Sequence, residues 1–255
     1  MPEPDVAAAV DRLDALTRRL RRECPWDREQ DERSIVPHTV EEAYELADAA
    51  NAGDDDKLLD ELGDVLFQVH FLSLLLEERG AGDMAQVAER VRQKLIRRHP
   101  HVFGETEAET AGEVLRNWDQ IKRGEPGREE GIFGDVPENL PGLLHARKIQ
   151  RRAASTGFDV DHVPYDAVSG ELAELEAAGT ERDAVFHEVG DVLFAAVNIA
   201  RKLRVDPELA LRSASARFRG RVEAAEQLAA DAGAHWEELT ADDKLSLYAQ
   251  ARLNE

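Results

Sequence analysis

Cysteine occurs once, at Cys24, so the chain can build neither an internal disulfide framework nor a thiolate metal cluster. Aromatic residues are scarce, and proline and glycine are sparse inside the periodic stretches. What remains is rich in Ala, Leu, Glu and Arg, which favours a helical protein over a sheet. No apolar run reaches a membrane span: the stretch 65–76 is too short, and the N-terminus carries no long apolar core. A cytoplasmic protein without a membrane anchor is expected. Positive charge is also short. Against 53 acidic residues stand 32 basic ones, a formal net charge of −21. Such a field repels a phosphate backbone and argues against general nucleic-acid binding. It repels free nucleotides too, unless divalent cations mask the site. Solubility alone is the plain alternative reading of the excess.

Against these absences stands a repeat. Glu61-Leu62-Gly63-Asp64-Val65-Leu66-Phe67 recurs as Glu188-Val189-Gly190-Asp191-Val192-Leu193-Phe194. Each copy is preceded by a second acidic pair, Glu42-x-x-Glu45 and Glu171-x-x-Glu174. A spacing of three puts both members of a pair on one helix face. The apolar periodicity predicts helices over 6–22, 40–51, 55–78, 84–98 and 110–123, then 143–153, 166–177, 182–203, 207–230 and 242–253. Cys24-Pro25-Trp26-Asp27 stops the first of them, and 31–37 reads as a loop with a short turn. Thr39 with Glu42 fits a capping box at the second helix. No alternating strand pattern is present. The organisation expected is two tandem helical units, 1–126 and 142–255, joined by a Gly- and Pro-rich linker at 127–141.

Most helical glutamates face water, and a lone ExxE carries little information. Here the context adds weight. At about 100° per residue Glu61 and Asp64 share a face with Gln68, Phe71, Leu72 and Leu75, and the helix beyond Asp64 is apolar nearly all round. A helix of that kind is central in a bundle, so its first-turn carboxylates are expected to face the interior or a cleft. In the second copy Glu188 and Asp191 line up with Val192, Ala195, Asn198 and Ile199 in the same way. Four carboxylates gathered there must take up protons or be neutralised by a cation. All-oxygen ligation suits Mg²⁺, or Mn²⁺ in its place. A di-iron bundle wants Glu-x-x-His, and position i+3 is Glu or Asp each time. A hard cation in a helical cleft suits phosphoryl chemistry. Lys57, Lys94, Arg97 and Arg98 are candidate cations for the outer phosphates, and Trp118 could stack on a base. Taken alone, 94–98 reads as a basic last turn favouring the helix dipole, and Trp118 as core.

These residues resemble a known family. Glu41-Glu42-x-x-Glu45 followed by Glu61-x-x-Asp64 is similar to the signature of the MazG nucleoside triphosphate pyrophosphohydrolases. Cys24-Pro25-Trp26-Asp27, the run 94–103 and Trp118 resemble the surrounding landmarks, and the likeness runs through both halves. It implies an all-α fold in which MazG-type units, here two in tandem with cores like four-helix bundles, pair with one another. A homodimer is expected because the apolar helices at 55–78 and 182–203 are more than one small bundle easily covers. The likeness also implies Mg²⁺-dependent hydrolysis of NTPs or dNTPs to the monophosphate and pyrophosphate, in a housekeeping role. Carried over, Glu42, Glu45, Glu61 and Asp64 match the metal ligands, and Glu41 with the three later acids, Glu45, Glu61 and Asp64, supplies the candidates for orienting the attacking water. Lys57, Lys94 and Arg98 match triphosphate contacts, and Trp118 an aromatic near the base. In the second half the ligands persist as Glu171, Glu174, Glu188 and Asp191. Gly170 replaces the leading Glu, Ala184 stands for Lys57, Arg217 and Arg221 for Lys94 and Arg98, and Tyr248 for Trp118. The first half is therefore expected to carry most turnover. The rivals are a non-catalytic Mg-nucleotide sensor and a helical interaction scaffold.

Overall fold

A computed structural model of the chain describes residues 5–125, 131–134 and 136–254. Within them the chain is helical, with no strand. It falls into two compact units, Met1–Gly127 and Arg128–Glu255. Of the expected linker, residues 127–130 and 135 lie outside the described residues.

The first unit contains α1 (Val6–Glu23), α2 (Pro25–Glu29), α3 (Glu32–Ala52), α4 (Asp55–Glu78), α5 (Met84–Arg98), α6 (Pro100–Phe103) and α7 (Ala111–Arg123). α3 and α4 form a tight helical hairpin. α4 also packs on α1 and α5, and α5 on α7. Gly53 sits at φ 70°, in the left-handed region that lets the chain reverse between α3 and α4. The core is small. Ile35, Phe71 and Leu75 are buried together, with Phe67 and Leu72 packed against them.

Two expectations are corrected here. The stretch 31–37 is not a loop: α3 begins at Glu32 and runs through Pro37. Nor does Thr39 cap a helix. Asp31 is the cap, accepting from the backbone N–H groups of Arg33 and Ser34 at 2.8 and 2.9 Å, while the Ser34 hydroxyl accepts from the Asp31 N–H. Thr39 lies inside the helix and donates to the Ile35 carbonyl at 3.3 Å. A proline in a helix interior costs about 3 kcal/mol. The double cap, and burial of Ile35 against Phe71 and Leu75, offset it.

The second unit contains α8 (Gly142–Ala154), α9 (Tyr165–Ala177), α10 (Arg182–Lys202), α11 (Pro207–Asp231), a 3₁₀ turn (Trp236–Glu238) and α12 (Ala241–Leu253). α10 packs on α8, α9 and α11, and α11 on α12. Thus α10 has the same set of neighbours in its unit that α4 has in the first.

Both long helices are half open. On α4, Leu59, Leu62 and Leu66 are exposed at i, i+3, i+7. On α10, Phe186, Val189 and Leu193 are exposed at the same spacing. The expectation that α4 is central holds only for its later turns, where Phe71, Leu74 and Leu75 are buried. No helix among the described residues is long and apolar enough to cross a membrane.

Candidate metal and phosphate site

The α3–α4 hairpin brings the two acidic pairs together. Glu42 and Glu45 lie one turn apart on α3, and Glu61 enters from the second turn of α4. One carboxylate oxygen from each of the three lies within 4.8 Å of the others. Glu61 is 6% exposed, Glu42 is half-buried and Glu45 is exposed. The cluster is therefore closed at Glu61 and open at Glu45. Asp64 is exposed and stands outside that distance, yet its charge reaches the cluster. Burial first, then Asp64, Glu45, Glu61 and Glu41 in that order, push the Glu42 carboxyl above the ordinary range. Among the described residues no cation pairs with Glu42, Glu45, Glu61 or Asp64. Gathered carboxylates with no protein cation beside them are a donor set suited to a hard divalent ion. With Asp31 as the helix cap, Glu42 has no capping role to compete with this one.

Glu41 is exposed at the rim, with its Oε2 3.6 Å from Nδ1 of His38. Lys57 lies one turn before Glu61 on α4 and is exposed. On α5, Lys94 joins Arg90, Arg97, Val87 and Val91 in lining an open groove of about 500 Å³. Neither lysine is ion-paired among the described residues.

The remaining expected substrate contacts are engaged with one another. Arg98 is buried and forms a two-pronged ion pair with Glu125, its Nε donating at 3.0 Å. Arg97 donates to the same carboxylate at 2.7 Å. These hydrogen bonds, with the Arg98 bond contributing most, hold the Glu125 carboxyl at about 2. The Arg98 guanidinium also lies over the Trp118 ring, 5.2 Å from its centroid, and His99 meets that indole in a T-shaped contact at 4.9 Å. Arg98, Glu125, Trp118 and His99 thus form one packed joint between the end of α5 and α7.

The second unit repeats the acidic arrangement. Glu171 and Glu174 on α9 and Glu188 on α10 bring carboxylate oxygens within 4.8 Å of one another. Burial, then Glu174, Asp191 and Glu188, raise the Glu171 carboxyl. Asp191 is exposed, as Asp64 is. No glutamate stands beside Glu171, where Gly170 sits, and Ala184 occupies the place of Lys57. Arg217 is exposed and donates to the Ser213 hydroxyl at 2.6 Å, and Tyr248 packs on Phe218.

Sequence reasoning treated Cys24-Pro25-Trp26-Asp27 only as a helix stop and a landmark. Cys24 is the N-cap and Pro25-Trp26-Asp27 the start of α2, a five-residue helix held by Arg21. Arg21 Nη1 donates to the carbonyls of Asp27 and Gln30, the latter at 3.0 Å, while its Nη2 reaches Glu78 at 2.9 Å. Asp27 is buried, but Trp26 is 51% exposed and meets His38 of α3 with ring centroids 6.0 Å apart. The signal available in the sequence was a tryptophan beside a proline at a helix stop, with a histidine one turn ahead of the acidic pair.

Comparison with known proteins places these residues in context. Residues 30–103 match the MazG nucleotide pyrophosphohydrolase domain. That span holds the whole first acidic cluster, Lys57 and Lys94. The chain is 40% identical to a nucleoside triphosphate pyrophosphohydrolase of Escherichia coli strain K12, over 88% of this chain and 89% of that one. It is 41% identical to a nucleoside triphosphate pyrophosphohydrolase/pyrophosphatase MazG of Thermotoga maritima, over 85% and 84%. A nucleoside triphosphate pyrophosphohydrolase of Mycobacterium tuberculosis is 32% identical over 74% of this chain and 59% of its own length.

Proposed function

The chain belongs to the MazG nucleotide pyrophosphohydrolase family, and on that premise we propose that it hydrolyses nucleoside triphosphates, ribo- or deoxy-, to the monophosphate and pyrophosphate, using a divalent cation at the first acidic cluster. The observation that carries the reading is the Glu42–Glu45–Glu61 cluster, with ligand atoms within 4.8 Å and Glu61 buried without a protein cation.

Glu42, Glu45, Glu61 and Asp64 would hold the ion, with Mg²⁺ preferred and Mn²⁺ able to replace it. When bound, such an ion neutralises phosphoryl oxygens and makes water a better nucleophile at neutral pH. Glu41 stands at the open rim with its carboxylate in water, placed to accept the proton of the attacking water. Lys57, one turn from Glu61, and Lys94 on α5, neither ion-paired among the described residues, supply cations for the outer phosphates. Arg97 and Arg98, through Glu125, and Trp118, through Arg98 and His99, support the α5 end that carries Lys94, and we assign them that supporting role.

The second unit we read as a second MazG-type unit, its cation held by Glu171, Glu174, Glu188 and Asp191. Gly170 and Ala184 leave it without the proton acceptor and the lysine of the first, so it binds the ion and contributes little turnover. The exposed stripes on α4 and α10 suit pairing with a second copy, as a homodimer. The net charge of −21 and the single cysteine suit a cytoplasmic nucleotide-pool enzyme that binds neither nucleic acid nor membrane.

The test is pyrophosphate release from the eight common NTPs and dNTPs with Mg²⁺, for the wild type, Glu61→Ala and Glu188→Ala. The wild type should release pyrophosphate, Glu61→Ala should lose at least about 100-fold in kcat with its helical content intact, and Glu188→Ala should keep most activity. Loss in Glu188→Ala alone would move the chemistry to the second unit. No release from any nucleotide would overturn the assignment and favour a nucleotide sensor.

A further inference from the structure

We propose that Trp26, backed by the edge of His38, is the shelf on which the base of the nucleoside triphosphate rests. The proposal builds on the pyrophosphohydrolase reading of the first acidic cluster.

Exposure of Trp26 is not a consequence of a loose chain. α2 is fixed by the buried Asp27, by two carbonyl bonds from Arg21 and by the Gln30 side chain, which donates to the Trp26 carbonyl at 2.8 Å. A helix held this firmly could fold its indole inward. Instead Trp26 keeps half its surface in water, with the His38 ring set against it at 62°. A broad apolar face on a rigid support, with a polar ring at its side, is the form of a base-stacking platform.

Position supplies the second argument. His38 lies on α3 four residues ahead of Glu42, and Glu45 follows three residues later. Four residues of helix advance about 6 Å. A nucleotide whose phosphates meet the acidic cluster can thus run back along α3, with its ribose beside Glu41 and its base over Trp26. His38 Nδ1 faces Glu41 at 3.6 Å, which joins the shelf to the rim of the cluster. The other aromatic candidate, Trp118, has the Arg98 guanidinium over its ring and His99 packed against it. The second unit has Phe158 in the place of Trp26, but Ala167 stands four residues ahead of Glu171 where His38 would be. It lacks the pair, in line with its missing lysine and glutamate.

The experiment uses the full chain as wild type, Trp26→Ala, Trp26→Phe and His38→Ala. Calorimetry with Mg²⁺ measures the Kd of a non-hydrolysable α,β-methylene analogue of the nucleotide that the wild type turns over best. Inorganic triphosphate, which has no base, serves as a competitor of turnover. Trp26→Ala should weaken the analogue about 10-fold or more and leave the inhibition constant of triphosphate, the Mg²⁺-induced rise in Tm and the molecular mass unchanged. Trp26→Phe should restore most of the affinity, and His38→Ala should show a smaller loss. Unchanged analogue affinity in Trp26→Ala would overturn the shelf. So would an equal loss for triphosphate, which would mean that α2 only props the cluster, or a change of mass, which would make Trp26 a subunit contact. A wild type that turns over nucleotides beside an unaffected Trp26→Ala sinks this inference alone. A wild type that turns over none removes the pyrophosphohydrolase reading with it.

Discussion

Glu42 and Glu125 carry opposite electrostatic histories, and pH separates them. Burial and four neighbouring acids raise the Glu42 carboxyl. The stability it contributes is full below the unfolded carboxylate value and is lost as pH rises through the folded one. Glu125 runs the other way. Arg98 and Arg97 hold it at about 2, so its contribution is present above about 4.5 and lost as pH falls toward 2. In metal-free protein, Glu42→Gln should therefore be at least as stable as the wild type at pH 7, and the difference should vanish below about pH 4. Mg²⁺ should raise the wild-type Tm at pH 7, by mass action on the folded state, and raise it much less at pH 4.5, where protons compete. Glu42→Gln should lose most of the rise. Thermal melts across pH with and without Mg²⁺ check this, and a wild-type Tm indifferent to Mg²⁺ at pH 7 would count against the metal site.

At the scale of the element, α3 shows how tertiary packing and one cap overrode a proline. The stretch 31–37, ending at Pro37, reads as a loop with a short turn. Asp31 and Ser34 close a capping box that sets the start eight residues before Thr39, and Ile35 completes the core with Phe71 and Leu75. Asp31→Ala should cost about 1 kcal/mol of stability, whereas Thr39→Ala should stay within about 0.5 kcal/mol. Urea unfolding of the two variants decides it, and a reversed order would restore Thr39 as the cap. The early start of α3 has a functional consequence, because it is what places His38 on the same helix as Glu42, beside Trp26.

At the scale of the molecule, the apolar surface left open is large for the size of the buried core. Leu59, Leu62 and Leu66 on α4, and Phe186, Val189 and Leu193 on α10, repeat one pattern in two units. Leucines held in water cost free energy that a second copy would recover. On the homodimer proposed above, the double variant Leu62→Glu, Leu66→Glu should halve the mass seen by light scattering while helical content persists. An unchanged mass would exclude the α4 stripe from the pairing surface.

The sequence by itself determined the helical class, most helix spans and the four acidic positions of each half. Periodicity and i, i+3 spacing are local, and a helix expresses them wherever it packs. Family membership was legible for the same reason, in the motif Glu41-Glu42-x-x-Glu45 and Glu61-x-x-Asp64. Tertiary structure alone decided which of those acids are sheltered. The hairpin buries Glu61 and leaves Asp64 in water, although the two share a helical stripe. It also decided that Arg98 is bound to Glu125 and lies over Trp118, while Lys57 and Lys94 are unpaired among the described residues, and that Trp26 stands open beside His38. These are contacts between residues far apart in the chain or on different helices. They depend on how helices sit against each other, and no periodicity within one helix encodes that.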